Sequence, residues 1–316
     1  MQKRVFSCVG TSLLLLAVQL LTACETVVFE EEEASGGNNT PGKLVISVAG
    51  TESYGDQGST RTPIDVTKTC GRLCFAIYQD GTRVKSVNQK AGDSDFGTAT
   101  FSLDAGEYEV LILGHNSNGN PSTTNPQKIQ FTNGTSASGT GFSDTFYYYG
   151  DLSFDGTSAS KQEFMLTRAT AMFRLVVNDN IPSNVQKFYF YYTGGSGTLD
   201  ATSGFGCVNS KQNAIIDVGT TRPATFELYT FPHEEDDQVT FTVKALTAND
   251  DIVHEREFKN VWMRRNTISQ YSGSFFSKEN ITPDNPPVDN PPITPTASSW
   301  TIKADTVWAA VNEYSY

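Results

Sequence analysis

With 316 residues and 34.5 kDa, the chain has room for about two domains with cores of their own and is too long for one small stapled module. Charged residues make up only 18% and aromatics 11%, with 26 Gly and 13 Pro, a balance that favours strands and turns and excludes a helical bundle. A formal charge of -12 with scattered basic residues excludes nucleic acid as a partner, and three His and five Cys leave little material for metal, cofactor or thiol chemistry.

In chain order, Lys3 and Arg4 precede an apolar stretch, Val5 to Leu21, that ends at Leu21-Thr22-Ala23-Cys24. An uncleaved anchor helix would need the same stretch, but the ending matches the lipobox of bacterial lipoprotein signals, in which the Cys is acylated before cleavage. Residues 1–23 are therefore read as a signal peptide and Cys24 as the lipidated residue. Its acyl chains, palmitate among them, each contribute ~0.8 kcal/mol per buried CH₂ and hold the chain to a membrane without a transmembrane helix. Cleavage removes Lys3 and Arg4 and no acid, so the mature charge becomes -12 minus 2, or -14. Residues 24–42 form a tether: Glu30-Glu31-Glu32-Glu33 and the following Gly/Asn-rich run cannot bury enough apolar surface to fold. The four Glu serve as a solvated extending run, and they also resemble the acidic tag that sends some lipoproteins to the cell surface.

From Lys43 short apolar or alternating runs recur between turn signals, the pattern of all-β domains. Strands are expected at 44–49, 73–78, 83–88, 98–103, 108–113, 128–131 and 145–154, making a first β-sandwich over 43–158. Gln79-Asp80-Gly81-Thr82 and Asp104-Ala105-Gly106 read as hairpin turns. The far end of Tyr108 to Leu113 is apolar without alternation, which predicts a central strand buried on both faces. A second series, at 163–167, 171–177, 187–192, 214–218, 225–229, 239–246, 253–258 and 267–275, makes a second sandwich over 159–276. The seam is placed near 155–165, with Phe164 and Met165 able to bridge both domains.

Residues 277–298 carry Pro283, Pro286, Pro287, Pro291, Pro292 and Pro295, a semi-rigid spacer. In the closing segment, 299–316, Trp300, Ile302 and Ala304 alternate with Thr301, Lys303 and Asp305. A strand on such a spacer must dock on a sheet edge, in its own chain or another, or else be an unstructured tail. Trp300, Ile302, Ala304 and, less regularly, Trp308 are the candidate pocket-fillers for strand donation.

Several segments resemble the anchor subunits of type V (fimbrillin) pili: Leu166 to Val177 followed by Asn180 to Val185 and Phe188 to Leu199, together with Gly92 to Gly97 and Phe146 to Gly150. The resemblance implies two tandem transthyretin-like antiparallel β-sandwiches in a fimbrial lipoprotein. It further implies an outer-membrane location facing outward, adhesion, and other pilin subunits as partners through strand complementation. Stalk subunits of such pili are trimmed by an Arg-specific protease. Cleavage after Arg61, in Ser59-Thr60-Arg61-Thr62, would remove the first strand with its lipid and make the chain a stalk or tip subunit; without cleavage it stays tethered as the anchor.

No residue constellation supports catalysis: nucleophile elbow, phosphate loop and dinucleotide fingerprint are missing from the sequence. Cys70 and Cys74 would sit ~13 Å apart on one strand face, so a bridge needs a turn between them; Cys207 could pair with either, and one disulfide or none are both open. His233-Glu234-Glu235-Asp236-Asp237 lacks the ligand spacing of a calcium loop, His254-Glu255 lacks a second His, and His115 is placed at a loop tip. No metal is expected. In Phe188-Tyr189-Phe190-Tyr191-Tyr192 one face is core, and Tyr189 and Tyr191 on the other either pack between domains or form a platform for sugar rings. A surface glycan-binding lipoprotein is thus the rival to a fimbrial subunit.

Overall fold

The computed structural model describes residues 41–51, 65–131, 143–157, 160–277 and 308–316, all within a body running from Thr40 to Tyr316. The first part contains β1 (Gly42–Thr51), a helical turn α1 (Val66–Thr69), β2 (Arg72–Gln79), β3 (Thr82–Lys90), β4 (Thr98–Leu103) and β5 (Gly106–His115). It continues through β6 (Ile129–Gln130), β7 (Thr145–Phe154) and β8 (Ser160–Arg168). The second holds β9 (Ala171–Val177), β10 (Lys187–Thr193), β11 (Thr198–Asp200), β12 (Phe205–Gly206), β13 (Gln212–Asp217) and β14 (Ala224–Thr230). It closes with β15 (Asp237–Leu246), β16 (Ile252–Met263), β17 (Thr267–Gly273) and β18 (Ala310–Ser315). The all-β expectation is met.

The first sheet runs β3-β2-β5-β7-β8-β1-β4. Only Phe146↔Arg168 and Tyr147↔Thr167 join β7 to β8, so the sheet folds over at that line and its two halves face each other across one core. Leu44, Ile46, Phe101 and Leu166 from one half meet Leu73, Phe75, Val110 and Ile112 from the other. In the second sandwich β13-β10-β15-β16 faces β14-β9-β17-β18 across an aromatic core, where Phe173 stacks on Phe241 at 4.1 Å. Pairing is chiefly antiparallel; β1 with β8, β9 with β17 and β17 with β18 are parallel. In each sandwich the first strand thus lies between one antiparallel and one parallel neighbour, so the pattern β4-β1-β8 returns as β14-β9-β17.

Local sequence explains much of this. Asp80 and Gly81 adopt φ of 50° and 72°, the left-handed pair a tight hairpin turn requires between β2 and β3. β4 and β14 alternate buried and exposed residues, as one-sided strands should. β5 is buried on both faces from Val110 to His115, as its unbroken apolar run predicts, because a third core covers the outer face of β2, β5 and β7. There Cys74, Ala76, Tyr78, Leu111 and Leu113 pack against Ile129, Leu199, Ala201 and Phe231. The strip β12-β11-β6 joins the two sandwiches by backbone pairing, Thr198↔Gln130 and Leu199↔Ile129. Ser160–Arg168, assigned from sequence to the second series, pairs with β1 and β7 and so completes the first sheet.

Candidate functional site

For a protein expected to assemble by strand exchange, the informative places are the sheet edges and the segment that closes one of them. β18 lies along the edge of β17, in register from Thr267↔Ala310 to Ser272↔Ser315. On the outward face a polar row crosses all four strands. The Arg174 guanidinium is 2.9 Å from Glu227 of β14 and donates to Gln270 Oε1 of β17 at 3.2 Å, and Gln270 Nε2 donates to Glu313 Oε1 of β18 at 3.2 Å. On the inward face Tyr314 stacks on Tyr271 at 4.8 Å, and Tyr316 meets Phe258 edge-on at 5.1 Å while its hydroxyl donates to the Val176 carbonyl at 3.2 Å. A side chain at Gly273 would collide with the Tyr316 carbonyl, so the close approach of this segment requires glycine there.

Trp308 enters the same seat from its other end. It is 7% exposed, and the Arg168 guanidinium lies 3.8 Å from its ring centroid and 4.5 Å from that of Phe146. Arg168 is itself buried. It donates to both carboxylate oxygens of Asp144 at 2.8 Å and to Asn266 Oδ1 at 2.7 Å, joining the first sandwich, the second and the closing segment at one side chain. Arg256 mirrors it at the far end: buried, donating to the carbonyls of Phe275, Ser274 and Ser277, with its guanidinium 5.5 Å from the Tyr316 ring. Of the candidate donor residues, Trp308 is thus brought into the chain's own fold, two residues before a strand that begins at Ala310. Trp300, Ile302 and Ala304 lie outside the described residues, as do Cys24 and Arg61. The seat escaped sequence reading because Ala310 to Ser315 shows little apolar alternation; the aromatic spacing of Trp308, Tyr314 and Tyr316 was the available signal.

The family model of fimbrillin-A associated anchor proteins Mfa1 and Mfa2 matches residues 39–301. The chain belongs to this family. The matched span takes in β1 to β17 and ends before Trp308 and β18. Among solved structures, the fimbrial anchor protein Mfa2 of Porphyromonas gingivalis is 13% identical, with 68% of this chain and 81% of that one covered and a TM-score of 0.38. A candidate adhesin of Bacteroides ovatus is 12% identical over 72% of this chain and 88% of that one, TM-score 0.46. The tip fimbrial protein Mfa3 of P. gingivalis, C-terminally truncated, is 9% identical over 75% and 96%, TM-score 0.39. No curated protein matches.

In this family member Tyr189 and Tyr191 are half-buried on the outer face of β10, flanked by Ile215 and Asn213 of β13 and by Lys244 and Thr242 of β15. The seam between the sandwiches is filled by other aromatics, Phe131, Phe231, Tyr147 and Tyr149. The acidic loop after Phe231-Pro232 is spent on internal contacts: Glu235 pairs with Arg265 and Asp236 with Arg264, both at 2.7 Å, and Asp237 accepts from the His233 and Gln238 amides.

Cys70, Cys74 and Cys207 are free thiols; burial pushes Cys70 and Cys74 up to about 12, so neither is a thiolate at neutral pH. His115 is the last residue of β5 and fully buried, not a loop tip, since its ring closes the third core against Phe131 at 5.6 Å. Its Nδ1 accepts from the Ser117 amide, leaving the proton on Nε2 facing Cys74 Sγ at 3.7 Å, and desolvation lowers its pKa to about 4.

Proposed function

We propose that the chain is a non-enzymatic fimbrial subunit of the cell surface, the membrane anchor of its fimbrium, joining other pilins by strand complementation and supporting adhesion. The observation that carries this reading is the anchor-family match over residues 39–301, which starts within the tether that follows the Leu21-Thr22-Ala23-Cys24 sequence. On this reading the acyl chains on Cys24 hold the protein in the outer membrane with its body outward. Because each edge strand offers a row of backbone donors and acceptors, a partner's strand gains many bonds at once and leaves slowly. Trp300, Ile302 and Ala304 supply the alternating face for such pairing. Docking of β18 on β17 supports sheet-edge addition as a use of this closing segment.

A second reading, a stalk or tip subunit trimmed after Arg61, is favoured by the place of β1. It lies between β8 and β4, so its loss would vacate a slot one strand wide. Intact mass of the protein extracted from cell envelopes separates these. A chain starting at acylated Cys24 fits the anchor, a chain starting at Thr62 fits the trimmed subunit, and an unacylated, uncut chain contradicts both. Deleting residues 297–316 is expected to abolish co-purification with other pilins; retained co-purification removes the donor role. Glycan capture is supported by the adjacent half-buried Tyr189 and Tyr191 beside Ile215, which is 43% exposed. Sugar binding on a glycan array that is lost in Tyr189→Ala and Tyr191→Ala would establish it, and an array with no hits would remove it.

A further inference from the structure

We propose that the outer face of β13-β10-β15-β16 is a site for an uncharged glycan lying along β10, with Tyr189 and Tyr191 each taking one pyranose ring and the carboxylates of Glu255 and Glu257 taking its hydroxyls. This rests on the glycan-capture reading above and adds the class of sugar, the line along which it lies and the residues that meet its polar rim.

The cores do not use these two tyrosines. Phe188, Phe190 and Tyr192 point inward from β10 and fill the second sandwich, so Tyr189 and Tyr191 stand together on the opposite face, about 7 Å apart along the strand. The seam between the sandwiches takes other aromatics and leaves both out.

Register sets what surrounds them. One row across the sheet reads Ile215, Tyr189, Lys244 and Glu255; the next reads Asn213, Tyr191, Thr242 and Glu257. With strands ~4.8 Å apart, each row spans about 14 Å, aromatic at β10 and ending in a carboxylate at β16. Ile215, 43% exposed, extends the apolar side. A pyranose has the matching division, C–H groups on its face and hydroxyls round its rim. Tyr supplies a flat apolar surface at low conformational cost, and an ionised carboxylate accepts a hydroxyl proton in a charge-assisted bond. Asn213 Oδ1 has no hydrogen-bond partner among the described residues, an acceptor that a hydroxyl beside Tyr191 would satisfy once the amide turns outward.

Charge decides between sugars. The Lys244 ammonium lies 3.4 Å from Glu255 and that of Lys259 3.0 Å from Glu257, so the cations beside the two rows already face acids, in a chain of formal charge -12. A carboxylated or sulfated sugar would bring a further anion against Glu255 and Glu257, whereas a neutral one keeps both ion pairs and adds hydroxyl bonds to them.

The test presents the chain from Glu25 onward to an array carrying uncharged polysaccharides (galactomannan, β-glucan, methyl-esterified homogalacturonan) and acidic ones (unesterified homogalacturonan, chondroitin sulfate), followed by titration calorimetry. Binding is expected to uncharged members and to be at least about tenfold weaker for acidic ones. A loss of similar size is expected in Tyr189→Ala, in Tyr191→Ala and in the double variant Glu255→Gln/Glu257→Gln, each with the urea midpoint of the wild type, since these side chains lie outside the cores. Preference for an acidic glycan, or full binding by the Gln variant, overturns the proposal while leaving glycan capture by the tyrosines standing. An array with no hits removes both. A concentration-dependent dimer that Tyr189→Ala abolishes, with no sugar bound, assigns the face to a second copy of the chain and likewise overturns the proposal. The anchor role is untouched by any of these results.

Discussion

Arg168 concentrates more of this structure in one side chain than its position in a sequence could suggest. It is buried against the half-buried Asp144, which also accepts from the Thr170 hydroxyl at 2.9 Å, and its guanidinium lies over two aromatic rings. Removing one member of a largely desolvated, hydrogen-bonded ion pair leaves the other uncompensated. Arg168→Ala is therefore expected to cost about 3–5 kcal/mol in urea unfolding, and Arg168→Lys to recover only part, since an ammonium cannot match the carboxylate with a planar fork.

His115 sets a pH dependence of known sign. Its folded pKa, about 4, lies below the ordinary 6.5, so the unfolded chain binds a proton that the folded chain refuses. Its contribution is complete above about pH 6.5 and declines as pH falls toward 4, at up to about 1.4 kcal/mol per pH unit. The difference between wild type and His115→Phe in unfolding free energy, measured from pH 7 to 4, should show this slope; a pH-independent difference would refute it. Thiol chemistry follows burial in the same way. In a chain lacking residues 1–24, native Cys207 is expected to react with a disulfide reagent while Cys70 and Cys74 wait for denaturant.

At the scale of elements, strands whose side chains alternate or run wholly apolar were legible, and those held by their surroundings were not. Thr98–Leu103, Thr145–Phe154 and Ala171–Val177 fall where the pattern places them, because each has a face or two faces to bury. β11 and β12 carry no periodicity of their own; they exist because Leu199 and Ala201 cover the first sheet. The closing strand shows the converse. The regular alternation lies at Trp300 to Ala304 and not at Ala310–Ser315, whose edge position demands little apolar content and whose seat is fixed by three aromatics and one carboxylate. The site is half legible for the same reason: Trp308 stands out in the sequence, while Arg168, which lies over Trp308, Arg256, which lies by Tyr316, and Arg174, which reaches Glu313 through Gln270, come to the closing segment only through folding of distant segments. Trp308→Ala is expected to speed amide exchange across 310–315 while leaving β9, which is paired on both sides, protected.

At the scale of the whole molecule, the third core makes two sandwiches behave as one body. Tyr78, Leu111 and Leu113 share one apolar cluster with Leu199 and Phe231, and Gly204, at φ 79°, accepts Tyr147 and Arg265 where any side chain would collide. A single calorimetric transition is expected for the wild type. Gly204→Ala should split or broaden it, by opening the seam while each sandwich keeps its own core; two transitions in the wild type would contradict this coupling.

The place of β1 has a mechanical consequence. On the anchor reading proposed above, a tether joined at Gly42 would transmit load straight into a strand that is hydrogen-bonded along both sides, parallel to β8 and antiparallel to β4. Tension along its axis stresses both ladders in shear, so their bonds must rupture together, whereas an edge strand pulled sideways would unzip one rung at a time. A subunit gripped in this way would, on that reading, hold a filament against flowing liquid through its backbone alone.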